Sequence, residues 1–236
     1  MNKKIKLFCL PYAGGGTNVY EKWSTKLSKK IDLYTITLAG RGNRITDKPY
    51  ADLKEAVNDI FQMIKEDIRN EDYAIFGHSM GALLAYELIR KILHHGKKPP
   101  LHVFFSGRKP VHIPKTEKFY RDMDDLQFQK AVLSLGVTPP EIFENSELKE
   151  IFLPLLRSDF IIAETFVDRP EIEPLNFNIT VLIGEDEDIT KEEADQWKLH
   201  TTEKFSVHYI EGGHFFLLDQ QQSVINIINN DLAEYN

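Results

Sequence analysis

Cysteine is nearly absent. The 236-residue chain holds one, Cys9, so no disulfide can close within it, as expected of a protein from a reducing compartment. A chain of this length buries roughly 70–75% of its unfolded surface and needs no disulfide or metal staple. Positive charge is not in excess either: 29 Lys and Arg stand against 36 Asp and Glu, a formal net charge of −7. No basic field is therefore available to hold nucleic acid or an anionic membrane surface. Long apolar runs are missing as well. The first one lasts only from Leu7 to Leu10 before Pro11 and the Gly14–Gly16 triplet. That is short of the roughly 7–15 residues of a secretory leader, and no window approaches the ~18–20 of a membrane span. A buried first strand and a cytoplasmic protein are expected. Neither H-E-x-x-H nor C-x-x-C occurs, so no metal site is expected.

What the chain does have is alternation. Short apolar runs at Ile5–Leu10, Leu33–Leu38, Tyr73–Phe76, Leu101–Phe105, Ile179–Ile183 and Phe205–Ile210 read as strands buried on both faces. Amphipathic stretches at Leu53–Asn70, Gly81–His95, Lys191–Lys198 and Ser223–Tyr235 read as helices; Leu84, Leu88 and Ile92 form one apolar stripe. The expected class is α/β: a single domain over 1–236, with a mostly parallel central sheet flanked by helices. One stretch breaks the rhythm. From Lys109 to about Leu175 the pattern is helical (Asp125–Leu135, Glu147–Arg157) around Thr138-Pro139-Pro140. A structureless loop that long does not suit a compact domain, so 109–175 is read as a helical insertion over one edge of the sheet.

The strongest chemical signal is Gly77-His78-Ser79-Met80-Gly81, between a strand and a long helix. It matches G-x-S-x-G, the nucleophile elbow. Only the smallest residues fit two positions either side of so sharp a turn. The turn lifts the Ser79 hydroxyl clear of the sheet and points the first helical N–H groups at a developing oxyanion. A serine that merely caps the helix is the bland alternative; the strand before the motif and the helix after it are the context that favours a nucleophile.

A serine hydroxyl needs a base, and the elbow architecture orders its triad Ser, acid, His. His214, in Glu211-Gly212-Gly213-His214-Phe215-Phe216 after the last strand, is the expected base. His208 lies inside that strand, His94 and His95 sit at a helix end, His78 occupies an x position of the elbow, and His102, His112 and His200 belong to no motif. The acid should follow the preceding strand, where Glu185, Asp186, Glu187 and Asp188 stand in a row; residue type alone does not choose among them. The loop Pro11-Tyr12-Ala13-Gly14-Gly15-Gly16 after the first strand is placed to supply one oxyanion-hole amide, Ala13, with Met80 supplying the other. A dinucleotide cradle is the rival for this glycine loop. It fails because the spacing does not complete G-x-G-x-x-G and the second strand ends in Leu38-Ala39-Gly40-Arg41 without an acidic ribose partner.

Taken together, Pro11-Tyr12-Ala13-Gly14-Gly15, Gly40-Arg41-Gly42-x-Arg44, Gly77-His78-Ser79-Met80-Gly81, Leu156-Arg157-Ser158-Asp159-Phe160 and Gly212-Gly213-His214-Phe215-Phe216 resemble the type II thioesterases. These accompany nonribosomal peptide and polyketide synthetases, antibiotic biosynthesis among them. The resemblance runs from Leu7 to about Leu232. It implies an α/β-hydrolase with a helical lid at 109–175, which clears acyl or aminoacyl groups from misprimed or stalled carrier domains. It also implies Ser79 as nucleophile, His214 as base, and Ala13 and Met80 as oxyanion donors. The family's usual G-x-x-D-P-x-V-[ST] fits with one residue missing after Gly184, which makes Asp186 the acid and puts Trp197 at the expected distance. An ungapped match would put Glu187 there, and Asp188 is the third candidate. Two departures stand out: Ala39 replaces the proline usual before Gly-Arg-Gly, and Glu187 that of D-P. Arg157 and Asp159 read as a structural pair.

The implied partner is an acyl or peptidyl carrier domain that presents 4′-phosphopantetheine itself, so no bound cofactor is expected, and the chain is expected to act as a monomer. A net negative protein needs a local patch to meet an acidic carrier; Lys109, Lys115, Lys118 and Arg121 are candidates. A medium-chain acyl-carrier thioesterase, a general serine esterase and a non-catalytic acyl-binding protein are the rival readings.

Overall fold

The computed structural model describes residues 4–114, 120–165 and 172–235. Six strands form one sheet: β1 (Ile5–Leu10), β2 (Ile31–Thr35), β3 (Tyr73–His78), β4 (His102–Ser106), β5 (Asn178–Gly184) and β6 (Phe205–Ile210). Their order is β2-β1-β3-β4-β5-β6, and every neighbouring pair is parallel. All six fall on the runs expected from sequence. β2 differs most, starting at Ile31 and ending at Thr35, because only these residues pair with Ile5–Cys9.

β1, β3 and β4 are buried at every position, which is why they read as unbroken apolar runs. Their side chains alternate between two cores. Phe8, Leu10, Tyr73 and Ile75 join the core beneath helices α2 (Leu53–Ile64) and α3 (Met80–His94). Leu7, Cys9, Ala74 and Phe76 face Tyr20, Trp23 and helix α9 (Gln221–Ala233) across the other face. In α2, Leu53, Ala56, Val57, Ile60, Phe61 and Ile64 are buried, an i, i+3, i+4, i+7 stripe. Asp52 caps it by accepting from the Glu55 amide at 2.8 Å, a contact that contributes about 1 kcal/mol. The helix stops at Ile64 instead of Asn70, and Asp67–Arg69 forms a separate 3₁₀ turn.

Between β4 and β5 the described residues form only helices and turns, apart from one bridge of Leu175 to Thr201. The helices are α4 (Asp125–Ser134), α5 (Glu141–Glu144) and α6 (Ser146–Ala163). Helix α6 passes through Pro154 and continues beyond Arg157 to Ala163. Tertiary bonds hold that extra length: Ser158 Oγ donates to the Tyr50 carbonyl at 2.6 Å, and Asp159 is fully buried. Short helices α1 (Asn18–Glu21), α7 (Lys191–Asp195) and α8 (Phe216–Asp219) complete the set. No helix among the described residues is long and apolar enough to cross a membrane.

The chain runs from β1 outward to β2, then crosses back to β3 on the other side of β1. This reversal is the topological switch point at which open parallel sheets bind ligands, beyond the carboxyl ends of the strands. The Tyr12–Gly16 loop and Ser79 leave those two ends.

Candidate active site

Ser79 has φ 55° and ψ −112° and is the one described non-glycine residue with positive φ. Such a conformation costs on the order of 1–3 kcal/mol and persists only where its surroundings impose it. Here they do. A Cβ on Gly77 would lie 2.2 Å from the Gly81 carbonyl oxygen, and one on Gly81 2.2 Å from that of Leu10. The Ser79 amide is tied to the Ser106 carbonyl at 2.8 Å, so β4 braces the elbow. Helix α3 starts at the next residue, which aims its N-terminal dipole at the hydroxyl.

His214 Nε2 lies 2.9 Å from Ser79 Oγ, and its Nδ1 lies 2.5 Å from Glu187 Oε1. The carboxylate on the imidazole is thus Glu187, not the expected Asp186. The Glu187 side chain is 4% exposed, and its second oxygen accepts from the Gly184 amide at 2.7 Å. Asp186 is exposed; its backbone amide bonds the Gly212 carbonyl at 3.1 Å, and Asp188 is exposed too. The ungapped match was the geometric one. The turn after β5 puts the third residue past Gly184 against the imidazole, and the longer glutamate spans the gap where a D-P aspartate was expected.

Beneath His214 lies His78, fully buried, its ring centroid 5.0 Å away. His78 Nδ1 is 2.8 Å from Ser106 Oγ. Burial, with the neighbouring His214, pushes its pKa well below the ordinary value. It stays neutral, so it adds little repulsion to an imidazolium forming on His214. The motif position alone gave no hint of this role.

The loop after β1 is held by side chains far away in sequence. The Gly14 amide donates to Asp159 Oδ2 at 2.7 Å, Arg41 Nη2 to Asp159 Oδ1 at 2.7 Å, and Arg41 Nη1 to the Gly15 carbonyl at 2.9 Å. Asp159 therefore pairs with Arg41, not with Arg157. Arg157 instead bonds Asp125 Oδ1 at 2.7 Å and the Tyr120 carbonyl, and covers the Phe128 ring. Among the described residues, neither the Ala13 nor the Met80 amide donates to a protein acceptor. Ala39, where the resemblance led one to look for proline, donates its amide to Tyr50 Oη at 3.0 Å, a bond proline could not make.

Ser79 and His214 open into a cavity of about 570 Å³, within the size of small-molecule sites. Arg108, Pro110, Val111 and Ile113 line one wall, and Ala163 and Glu164 at the end of α6 another. Both terminal nitrogens of Arg108 donate to the Ala163 carbonyl at 3.1 Å, tying the end of α6 to the cavity. Of the basic residues suggested for docking, Lys109 pairs with Glu193 at 3.0 Å and Arg121 lies 4.0 Å from Asp122. Lys115 and Lys118 lie outside the described residues. No group of three or more His, Cys, Asp or Glu among the described residues could hold a metal ion.

The family described as thioesterase domain matches residues 5–232. The protein called linear gramicidin dehydrogenase LgrE of Brevibacillus parabrevis is 36% identical over 98% of this chain and 89% of its own. Gramicidin S biosynthesis protein GrsT of Aneurinibacillus migulanus is 35% identical over 97% and 89%. Among solved structures, ClbQ from the colibactin NRPS/PKS pathway superposes with a TM-score of 0.91 at 33% identity, covering 98% of both chains.

Proposed function

The chain belongs to the thioesterase family, serine hydrolases on an α/β-hydrolase fold, and from that premise we propose that it strips acyl and aminoacyl groups from the phosphopantetheine arm of carrier domains in nonribosomal peptide or polyketide assembly. The observation that carries the reading is the unbroken Glu187–His214–Ser79 chain, with bonds of 2.5 and 2.9 Å, whose three residues line the cavity. The similarity to GrsT, a gramicidin S biosynthesis protein, and to ClbQ, from the colibactin NRPS/PKS pathway, supports the carrier-bound substrate.

The chemistry follows from the geometry. His214 Nε2 takes the Ser79 proton as Oγ attacks the thioester carbonyl, while Glu187 on Nδ1 fixes the tautomer and stabilises the imidazolium. The Ala13 and Met80 amides receive the oxyanion, an interaction worth about 2.7–4 kcal/mol per donor in serine hydrolases. His214 returns the proton to the departing pantetheine thiolate. Water, deprotonated by the same His214, then attacks the acyl-enzyme; the carboxylic acid leaves and Ser79 is regenerated. Every group in this sequence comes from one chain, which supports a catalytically complete monomer. Phosphopantetheine arrives on the carrier as part of the substrate. The helices of 109–175 act as the lid, because the end of α6 lines the cavity and the triad itself does not read the acyl chain. LgrE is named a dehydrogenase, but a dinucleotide does not suit the loop of this chain. Its Gly14 amide is already bonded to the Asp159 carboxylate, a charge that would repel a pyrophosphate.

Intact-mass analysis of acetyl- and aminoacyl-loaded carrier protein tests the reading. The wild type should unload both, and Ser79→Ala should be slower by a factor of about 10³ or more. Loaded carriers left intact while simple oxygen esters or free medium-chain acyl thioesters are cleaved would overturn the partner and keep the triad.

A further inference from the structure

Ala13 sits in a loop with no regular structure, so something must aim its amide. Its N–H shares a planar trans peptide with the Tyr12 carbonyl and points the opposite way. The Tyr12 carbonyl accepts from the Gly15 amide at 2.9 Å. Whatever fixes Gly14 and Gly15 therefore fixes the direction of the Ala13 N–H. Those two residues are held by Asp159 on the Gly14 amide and by Arg41 on the Gly15 carbonyl, with Arg41 and Asp159 bonded to each other. Gly14 itself has φ +79°, and a Cβ there would lie 2.8 Å from Leu156 of α6. The loop is moulded against that helix.

The pair is poorly explained by stability alone. Asp159 is fully buried and Arg41 is 5% exposed; desolvating both charges is expensive enough that such pairs often contribute nothing net. Arg41 Nε is buried without a hydrogen-bond partner among the described residues. The strong bonds are spent on the backbone of the loop.

We propose that Arg41 and Asp159 are positioning residues for the oxyanion hole, and that they make the seating of α6 a condition of turnover. Asp159 rides on α6 and Arg41 follows β2. The Ala13 donor is aligned only when both meet at the loop. The proposal rests on the reading of Ala13 as an oxyanion donor.

The test compares Asp159→Asn, the double variant Arg41→Met/Asp159→Leu and the control Arg157→Ala, using the acetyl thioester of N-acetylcysteamine and a trifluoromethyl ketone analogue of it. The double variant leaves no unpaired buried charge, so it should fold even if Asp159→Asn does not. Losing an oxyanion donor costs about 10²–10³ in kcat, and a misaligned one should cost about tenfold or more. KM should stay near the wild-type value, and affinity for the ketone, whose adduct is an oxyanion, should weaken by the same factor as kcat. Arg157→Ala cuts the bonds of α6 to Asp125 and the Tyr120 carbonyl but keeps Asp159, Arg41 and their bonds to the loop, so it should leave both values near wild type.

Unchanged kcat in a folded double variant would overturn the proposal, as would a fall in kcat without weaker ketone binding, or an equal fall in Arg157→Ala. In each case a dead Ser79→Ala enzyme leaves the thioesterase reading standing. An active Ser79→Ala enzyme would instead sink that reading itself.

Discussion

Two turns converge on His214, and different forces shape them. At the elbow, backbone meets backbone: the hydrogens of Gly77 and Gly81 occupy places where a Cβ would sit 2.2 Å from a carbonyl oxygen. At the turn after β5, the shape depends on where one side chain puts its two oxygens, Oε1 on His214 and Oε2 on the Gly184 amide. Steric necessity leaves the elbow a single solution. A turn pinned by a side chain keeps its geometry as long as some carboxylate of suitable reach stands at a suitable position. The first kind of site tolerates no substitution, and the second allows the residue type to drift.

The sharpest way to test that contrast is at the turn. Glu187→Gln preserves size and can still accept from Gly184, but offers an amide where His214 Nδ1 needs an anionic acceptor. In a Ser-His-Asp site the equivalent change costs about 10⁴ in kcat, and a loss of about 10³–10⁴ is expected here in thioester turnover. Asp186→Asn, at an exposed side chain, should leave kcat almost untouched. Equal losses in both variants would mean that the turn has a second arrangement with Asp186 inward.

The same contrast governs what could be read from the sequence. The strands, Ser79 and His214 were legible because apolar runs, flanking glycines and chain order are local and obligatory. All six strands overlap the expected runs, and β1 and β6 agree at both ends. The acid was not, since four neighbouring carboxylates differ only in reach, and reach depends on how β5 and the His214 loop are set against each other. Arg41 and Asp159 stood in recognised segments, but their meeting spans 118 positions, and nothing in either segment names the other. Helix α6 was cut short for the same reason: the contacts of Ser158 and Asp159 that sustain it lie outside its own periodicity.

The elbow half of the comparison is broken by adding one carbon. In Gly81→Ala the Cβ would meet the Leu10 carbonyl oxygen at 2.2 Å and the Pro11 oxygen at 2.9 Å, both backbone atoms that cannot swing away. Urea unfolding should register a loss of roughly 4 kcal/mol or more, at the top of the range for single substitutions. Gly213→Ala is the counterpart on the other side of His214. It meets nothing within 4 Å and has no positive φ, so its midpoint should stay near that of the wild type. A mild Gly81→Ala would show that the elbow yields after all.

The smallest effect asks whether protonation also separates rigid strand interiors from turns. Burial holds the pKa of His102 on β4 down to about 4, and that of His200 likewise; His78 in the elbow is lowered for the same reason. Between pH 6.5 and about 4 the unfolded chain binds protons at His102 and His200 that the folded chain refuses. Their contribution is complete above 6.5, and stability falls as the pH drops through that window. The slope approaches about 1.4 kcal/mol per pH unit for each histidine. Around His102 stand Asp231 at 3.7 Å, Glu234, Lys204 and the Thr180 hydroxyl at 2.8 Å. Glu234 favours the charged ring and Lys204 opposes it, so burial decides the direction. His102→Gln keeps a partner for Thr180 and removes the titration; urea midpoints at pH 7, 6 and 5 should then fall less steeply than in the wild type. An unchanged slope would mean that His102 takes up its proton in the folded sheet, and that the strand interior is as yielding toward charge as the turn beside it.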